Sequence, residues 1–524
     1  MSRPDGQVLF SDAHWEEVKK RVNGTVTPPN YMNDAGFLVS EANDFVLDPS
    51  KDRYDYMDSA TSFDTAADAG FTPWPYNPYD APNICTDNIH CAAIVAAATN
   101  DQAMATDVLD EILVQANDDK LDFGNGTSKT NATYGTAVRH DKDDLSQIGH
   151  PHFLIVEKVI KHLNSYTIIK TKAPSLISLT TAEEDRINDW FYDAKVLYKG
   201  YLDNTLKTAW GTDWRNKNFV LHSGLNRVMD DNSYYSTPFF ADSAGVVNNN
   251  YTNSELQRYG LVNTRQGYAH YTSMYALLYN NQADMDFFHD YYEMVMEMAV
   301  YPDGMILEYD RSKPSVPDQG INAYVWVNTQ GLSIMAATHK IASLNGLPSM
   351  SGKDGNELYE FTTDKGWDSY SSANNMATGV SPTSGGQKNL KLIIDAGLKS
   401  IQQNYGSVYG WSPTRHVTFS PYGMIGSHQT DIRGYLNAIA HANMYYDDPL
   451  YADVIQQVAS AEMHTPVLKY NSGLSTLGAW KANQGFWGAL LAFDDLYSGL
   501  DGILNETVSE VVKRKKASTF TGIN

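Results

Sequence analysis

Nine residues of this 524-residue chain, Asn263-Thr-Arg-Gln-Gly-Tyr-Ala-His-Tyr271, bring together a permanent cation, two tyrosines, a histidine and two amide side chains. A lone histidine closes the upstream run Asn216-Lys-Asn-Phe-Val-Leu-His222. Arginine stays charged and grips a carboxylate through two parallel hydrogen bonds. A tyrosine beside such a cation can give or take a proton. The reaction that wants both is β-elimination on a uronic acid. There the C6 carboxylate must be neutralised, a base removes the C5 proton, and an acid protonates O4 as the glycosidic bond breaks. Arg265 fits the first task, assisted by Asn218, His222 or Gln266. Tyr271 fits the other two, and His222 is the alternative base where the C5 proton lies on the opposite face.

Each residue also has a plainer reading. His222 would serve as a core histidine, Tyr271 and Tyr275 as packing one helical turn apart, and Arg265 as a salt-bridge or helix-start residue. Their conjunction favours the chemistry. It requires the Tyr271 hydroxyl, the Arg265 guanidinium and His222 to face one open cleft, and burial of Tyr271 in the core would end the lyase assignment as drawn on these residues. Asn263, Gln266, Tyr268 and His270 are expected to contact substrate. So are Arg415, His416, Tyr422 and His428 in a Gly- and Pro-marked loop, and Tyr324 and Trp74 as stacking residues. A glycoside hydrolase would instead need a carboxylate pair, for which Glu308 and Asp310 are candidates. A non-catalytic carbohydrate-binding protein is the other alternative. His150 and His152 form a His-Pro-His pair without a third ligand, so no metal and no cofactor is expected.

The elements that must position these residues read as helices. Residues 181–210 carry Ile187, Trp190, Phe191, Ala194, Leu197 and Tyr201 at helical spacing after a Thr180-Thr-Ala-Glu-Glu start. Similar periodicity predicts helices near 101–116, 152–165, 266–282, 284–300, 328–344, 389–404, 431–446, 450–463 and 479–498. Long loops rich in Gly, Asn, Ser and Pro separate them, and neither a low-complexity linker nor a fixed-period repeat divides the chain. The expectation is one all-α domain over 1–524, more than half helical. Its helical hairpins would pack into an α/α toroid whose long loops build a cleft.

Formal net charge is −23, which argues against nucleic-acid or anionic-membrane partners. Residues 40–120 carry 16 acids against 3 bases, whereas residues 211–275 carry five of each. Residues 376–445 are net positive, with Lys388, Lys391, Lys399, Arg415 and Arg433 against Asp395 and Asp431. Two segments escaping the acidity suit the walls of a site for an anionic ligand. No run of apolar residues approaches a membrane span. Cys85 and Cys91, the only cysteines, could form a small-loop disulfide or remain buried thiols.

Arg265 followed by the His270-Tyr271 pair at the head of an apolar helix, after an upstream segment with Asn216, Asn218 and His222, is similar to the alginate lyase families with an α/α-toroid fold. The resemblance covers roughly residues 210–345. It departs from the commonest pattern, in which Asn and His are adjacent and followed by Ser-Tyr-Trp, because Phe-Val-Leu separates Asn218 from His222. That points to a more distant branch such as polysaccharide lyase family 38, acting on alginate or glucuronan. The resemblance implies a toroid of about six or seven hairpins, a polysaccharide lyase that leaves unsaturated uronate ends, and an anionic polysaccharide as its partner. It further implies a monomer, secreted or periplasmic, although Met1-Ser-Arg-Pro-Asp-Gly is not a secretory leader.

Overall fold

The computed structural model describes residues 3–24, 39, 42–43, 89–117, 128–131, 136–139, 152–216, 261, 264–300, 304, 306, 325–348, 354–364, 387–405 and 433–451. The described part is mostly helical. Its helices are α1 (Asp12–Val22), α2 (Ile89–Thr99), α3 (Gln102–Asn117), α4 (His152–Lys172), α5 (Thr181–Trp210), α6 (Thr264–Leu278), α7 (Gln282–Met298), α8 (Val325–Leu344), the single turn α9 (Glu357–Glu360), α10 (Leu390–Tyr405) and α11 (Arg433–Tyr446). One antiparallel hairpin, β1 (Ser128–Asn131) with β2 (Thr136–Arg139), is the exception, and the sequence reading missed it. The helices expected at 450–463 and 479–498 lie outside the described residues, apart from Leu450 and Tyr451 at the start of the former.

Burial alternates along the chain. Helix α2 is apolar on all sides and buried from Ile89 to Ala98, and the described side chains of α4, α6 and α8 are buried along most of their lengths. Helices α3 and α5 are amphipathic and keep one polar face outward. The buried helices form a continuous row, α2 against α4, α4 against α6, α6 against α8 and α8 against α11, with α3, α5 and α7 packed outside it. A helix surrounded by others needs an apolar surface all round, while its outer partner needs only a stripe.

Local chemistry sets these hairpins. Helix α5 starts at a reciprocal box in which Thr180 Oγ1 accepts from the Glu183 amide and Glu183 accepts from the Thr180 amide, 2.7 Å away. The turns after buried helices recur as a left-handed residue followed by an Asx cap. Asn100 (φ 56°) precedes Asp101, which caps Met104, and Asn280 (φ 52°) precedes Asn281, which caps Asp284. Asp447 (φ 44°) likewise precedes Asp448, which caps Leu450. Asparagine and aspartate tolerate the left-handed region and offer a short acceptor to the next helix.

The N-terminal strap fixes direction. Lys172 pairs with Asp12 at 2.5 Å, the Asp5 amide donates to Leu278 O, and Asn345 donates to Gln7 O. The C-terminal ends of α4, α6 and α8 therefore share one end of the row, and their N-termini share the other. Residues 118–151, 211–263 and 299–324 all lead into those N-termini, whereas the links that leave α2 and α6 are two- and three-residue turns.

Candidate functional site at the start of helix α6

Helix α6 carries the segment that the sequence singled out. It packs against α4, α5, α7 and α8, which leaves little of it open. Against α5 it forms an antiparallel seam of tyrosines. Arg265 meets Tyr201, Tyr268 stacks on Tyr198 at 5.3 Å and 12°, and Tyr271 lies edge-on to Tyr198. Farther along, Tyr275 meets Tyr192 and Tyr279 donates to Asn188.

Tyr271 is in the core. Its side chain is fully buried, its hydroxyl donates to the Phe191 carbonyl at 2.9 Å, and burial raises its pKa well above the ordinary phenol value, with nearby tyrosines adding to the rise. The open-cleft role expected for it is therefore corrected, and a lyase site drawn on Tyr271 as the proton-transfer residue fails with it. A helix with neighbours on four sides buries its tyrosines regardless of their chemistry. Tyr268 is likewise packed between Tyr198 and Tyr201. His270 is buried, with Nε2 at 3.2 Å from Thr338 Oγ1 across the α6–α8 interface. Neither lines an open cleft.

Arg265 fares differently. It is only half-buried, Nη2 donates to the Tyr201 hydroxyl at 3.3 Å, and the guanidinium carbon lies 5.7 Å from the Tyr201 ring centroid. Tyr201 is half-buried too. The phenol beside an arginine that the sequence placed at Tyr271 thus occurs at Tyr201, on the neighbouring helix. Periodicity had marked Tyr201 as part of an apolar face, and nothing local to it signals a partner 64 residues away. Buried Tyr291 sits within electrostatic reach, its pKa raised by burial against the opposing charge of Arg265.

Gln266 is fully buried, and neither its amide oxygen nor its nitrogen has a hydrogen-bond partner among the described residues. An unmade buried hydrogen bond costs about 1–3 kcal/mol. Asn218, His222, Asn263, Tyr324, Trp74, Arg415, His416, Tyr422 and His428 lie outside the described residues, as do Glu308, Asp310, His150 and Cys85. Cys91 is buried in α2.

Sequence reasoning missed a second constellation. Ser273 Oγ lies 2.6 Å from His339 Nε2, and His339 Nδ1 lies 3.2 Å from Glu357 Oε1. Phe288 stacks on the imidazole at 5.0 Å, and all three polar residues are buried. Burial pushes the Glu357 carboxyl up, but the His339 contact and backbone N–H groups outweigh it and hold the group below its usual range. The order matches a serine nucleophile with its base. Ser273, however, sits in mid-helix, where backbone amides are already used, so no oxyanion donors are available there. The constellation ties α6, α8 and α9 together.

Beside the tyrosine seam, Lys195 and Lys199 both pair with buried Asp284 on α7, Lys195 at 3.0 Å. Among the described residues no group of three His, Cys, Asp or Glu side chains could hold a metal ion, and no helix is long and apolar enough to cross a membrane. Comparison with protein-family models, with the sequences of curated proteins and with solved structures found no match.

Proposed function

We propose that this chain is a polysaccharide lyase that cleaves a uronic-acid polymer, alginate or glucuronan, by β-elimination. The observation that carries the reading is the half-buried Arg265–Tyr201 pair at the start of α6. Arg265 neutralises the C6 carboxylate. The Tyr201 oxygen takes the C5 proton, and the electron pair forms the C4–C5 double bond. The C4–O4 bond then breaks, and O4 leaves with a proton returned by the phenol or by His222. The positive ends of α4, α6 and α8 point toward the same side of the row, which favours an anionic ligand in a protein of net charge −23. In this reading the row of hairpins closes into a toroid forming one domain, and the enzyme works as a secreted or periplasmic monomer.

The test is turnover of polymannuronate, polyguluronate and glucuronan by three variants. Arg265→Ala should lose on the order of 100-fold or more in rate. Arg265→Lys should recover little of it, because lysine lacks the planar fork. Tyr201→Phe should abolish turnover while retaining substrate binding. Near-normal turnover in Tyr201→Phe would move proton transfer to another residue, and near-normal turnover in Arg265→Ala would remove the site altogether.

A further inference from the structure

Helix α7 grips both ends of the connection 211–263, which leaves the helix carrying Tyr201 and enters the helix carrying Arg265. Asp290 and Tyr291 follow Phe287 by three and four residues and so share one face of α7 with it. On the outgoing side, the Trp214 ring meets Phe287 edge-on at 5.6 Å, and Arg215 Nε donates to Asp290 at 2.6 Å. Trp214 Nε1 in turn donates to Asp203 of α5 at 3.1 Å. On the incoming side, the Tyr291 hydroxyl donates to the Leu261 carbonyl at 3.2 Å, and both residues are fully buried. Leu261 precedes Arg265 by only four residues, so at about 3.8 Å per Cα step a shift there passes into the first turn of α6. Tyr291 also feels the Arg265 charge directly. The turn that joins α6 to α7, around Asn280 and Asn281, lies at the opposite end of the hairpin, so this end needs its own anchor.

We infer that Tyr291 is a positioning residue of the candidate site: its hydroxyl holds Leu261, and through it the start of α6, so that the Arg265 guanidinium meets Tyr201. The inference rests on the uronan reading given above. Tyr291 is enclosed in the core and acts through Arg265 rather than on the sugar. Phenylalanine in its place keeps the ring and takes the donor from a buried carbonyl. The segment relieves the unmet acceptor by moving, and the guanidinium moves with it. A carboxylate bound through a half-exposed arginine tolerates a small shift, whereas the developing enolate must stay aligned with both the cation and the phenol.

The experiment is a double-variant cycle in the full chain, with Tyr291→Phe made alone and together with Arg265→Ala. Turnover is followed by ultraviolet absorbance on whichever of polymannuronate, polyguluronate and glucuronan wild type cleaves fastest. Tyr291→Phe alone should lower kcat about tenfold or more, with KM changed only a few-fold. In the Arg265→Ala background the same substitution should change kcat less than about twofold, because nothing is left to position. Loss of the same factor in both backgrounds would mean general loosening of the fold and would overturn the inference. Near-normal kcat in Tyr291→Phe, when Arg265→Ala is crippled, would overturn the inference alone. If Tyr291→Phe does not fold, Leu261→Ala loosens the same anchor from the other side, and the same outcomes decide. An Arg265→Ala enzyme with near-normal turnover, or a wild type that cleaves none of the three polymers, would sink the uronan site itself and this inference with it.

Discussion

Replacing Tyr271 with phenylalanine separates two accounts of helix α6. The hydroxyl is fully buried and makes one hydrogen bond, 2.9 Å long, to a carbonyl inside α5. That carbonyl also belongs to the helical ladder, so the substitution does not strand it. The loss is one neutral buried hydrogen bond, about 1 kcal/mol. The ring, its edge contact with Tyr198 and the rest of the seam are kept. Urea unfolding should therefore show a slightly lower midpoint with an unchanged slope. Turnover on uronan should stay within a few-fold of wild type, because the Tyr271 hydroxyl is enclosed in the core and spent on the Phe191 carbonyl. A loss on the order of 100-fold in turnover at unchanged stability would refute this reasoning and return the proton-transfer role to Tyr271.

Other outcomes follow from named contacts. Burial lowers the His14 pKa from 6.5 to about 3, while its Nδ1 accepts from Ser11, so the unfolded chain takes up a proton that the native state refuses. That contribution is present above the unfolded value and fades as pH falls from about 6.5 toward 3, costing about 2 kcal/mol by pH 5. His14→Gln should flatten this part of a stability–pH profile, and an unaltered profile would contradict it. The Glu357 carboxyl is held below its ordinary 4.5, so its contribution is present above that value and is lost as pH falls below it. His339→Ala should cost about 3 kcal/mol or more by stranding a buried carboxylate, and Glu357→Gln should recover part of that in the double variant. Gly355 has φ +85°, and a Cβ there would lie 2.4 Å from Ser343 Cβ, so Gly355→Ala should lower the melting temperature clearly. Activity should peak at moderate ionic strength, since salt first screens repulsion between a −23 protein and a polyanion and then weakens contacts within a Debye length of about 8–10 Å.

The amphipathic helices were legible because a single buried stripe leaves a period. Expectations at 101–116, 181–210, 328–344 and 431–446 match α3, α5, α8 and α11 closely. Helix α2 escaped because Ile-His-Cys-Ala-Ala-Ile-Val-Ala-Ala-Ala is apolar on every side and has no period to find. The recurring turn was written in the sequence as the Asx pairs 100–101, 280–281 and 447–448, although no residue repeat accompanies it. Within the site, Arg265 was legible because a lone cation at a helix start is conspicuous. Its partner was not. Choosing Tyr201 over Tyr271 requires knowing that α6 has neighbours on four sides, and that depends on which helices pack together. Ser273, His339 and Glu357 are joined across 66 and 18 residues and leave no local signature.

Product chemistry tests the central claim most directly. Polymannuronate, polyguluronate and glucuronan, each digested with the wild-type protein, should yield fragments that absorb in the ultraviolet as unsaturated uronates. By mass, the new non-reducing ends should be one water lighter than saturated ones. Fragments with saturated ends and no such absorbance would mean hydrolysis, and no fragments from any of the three would mean that the chain is not a uronan lyase.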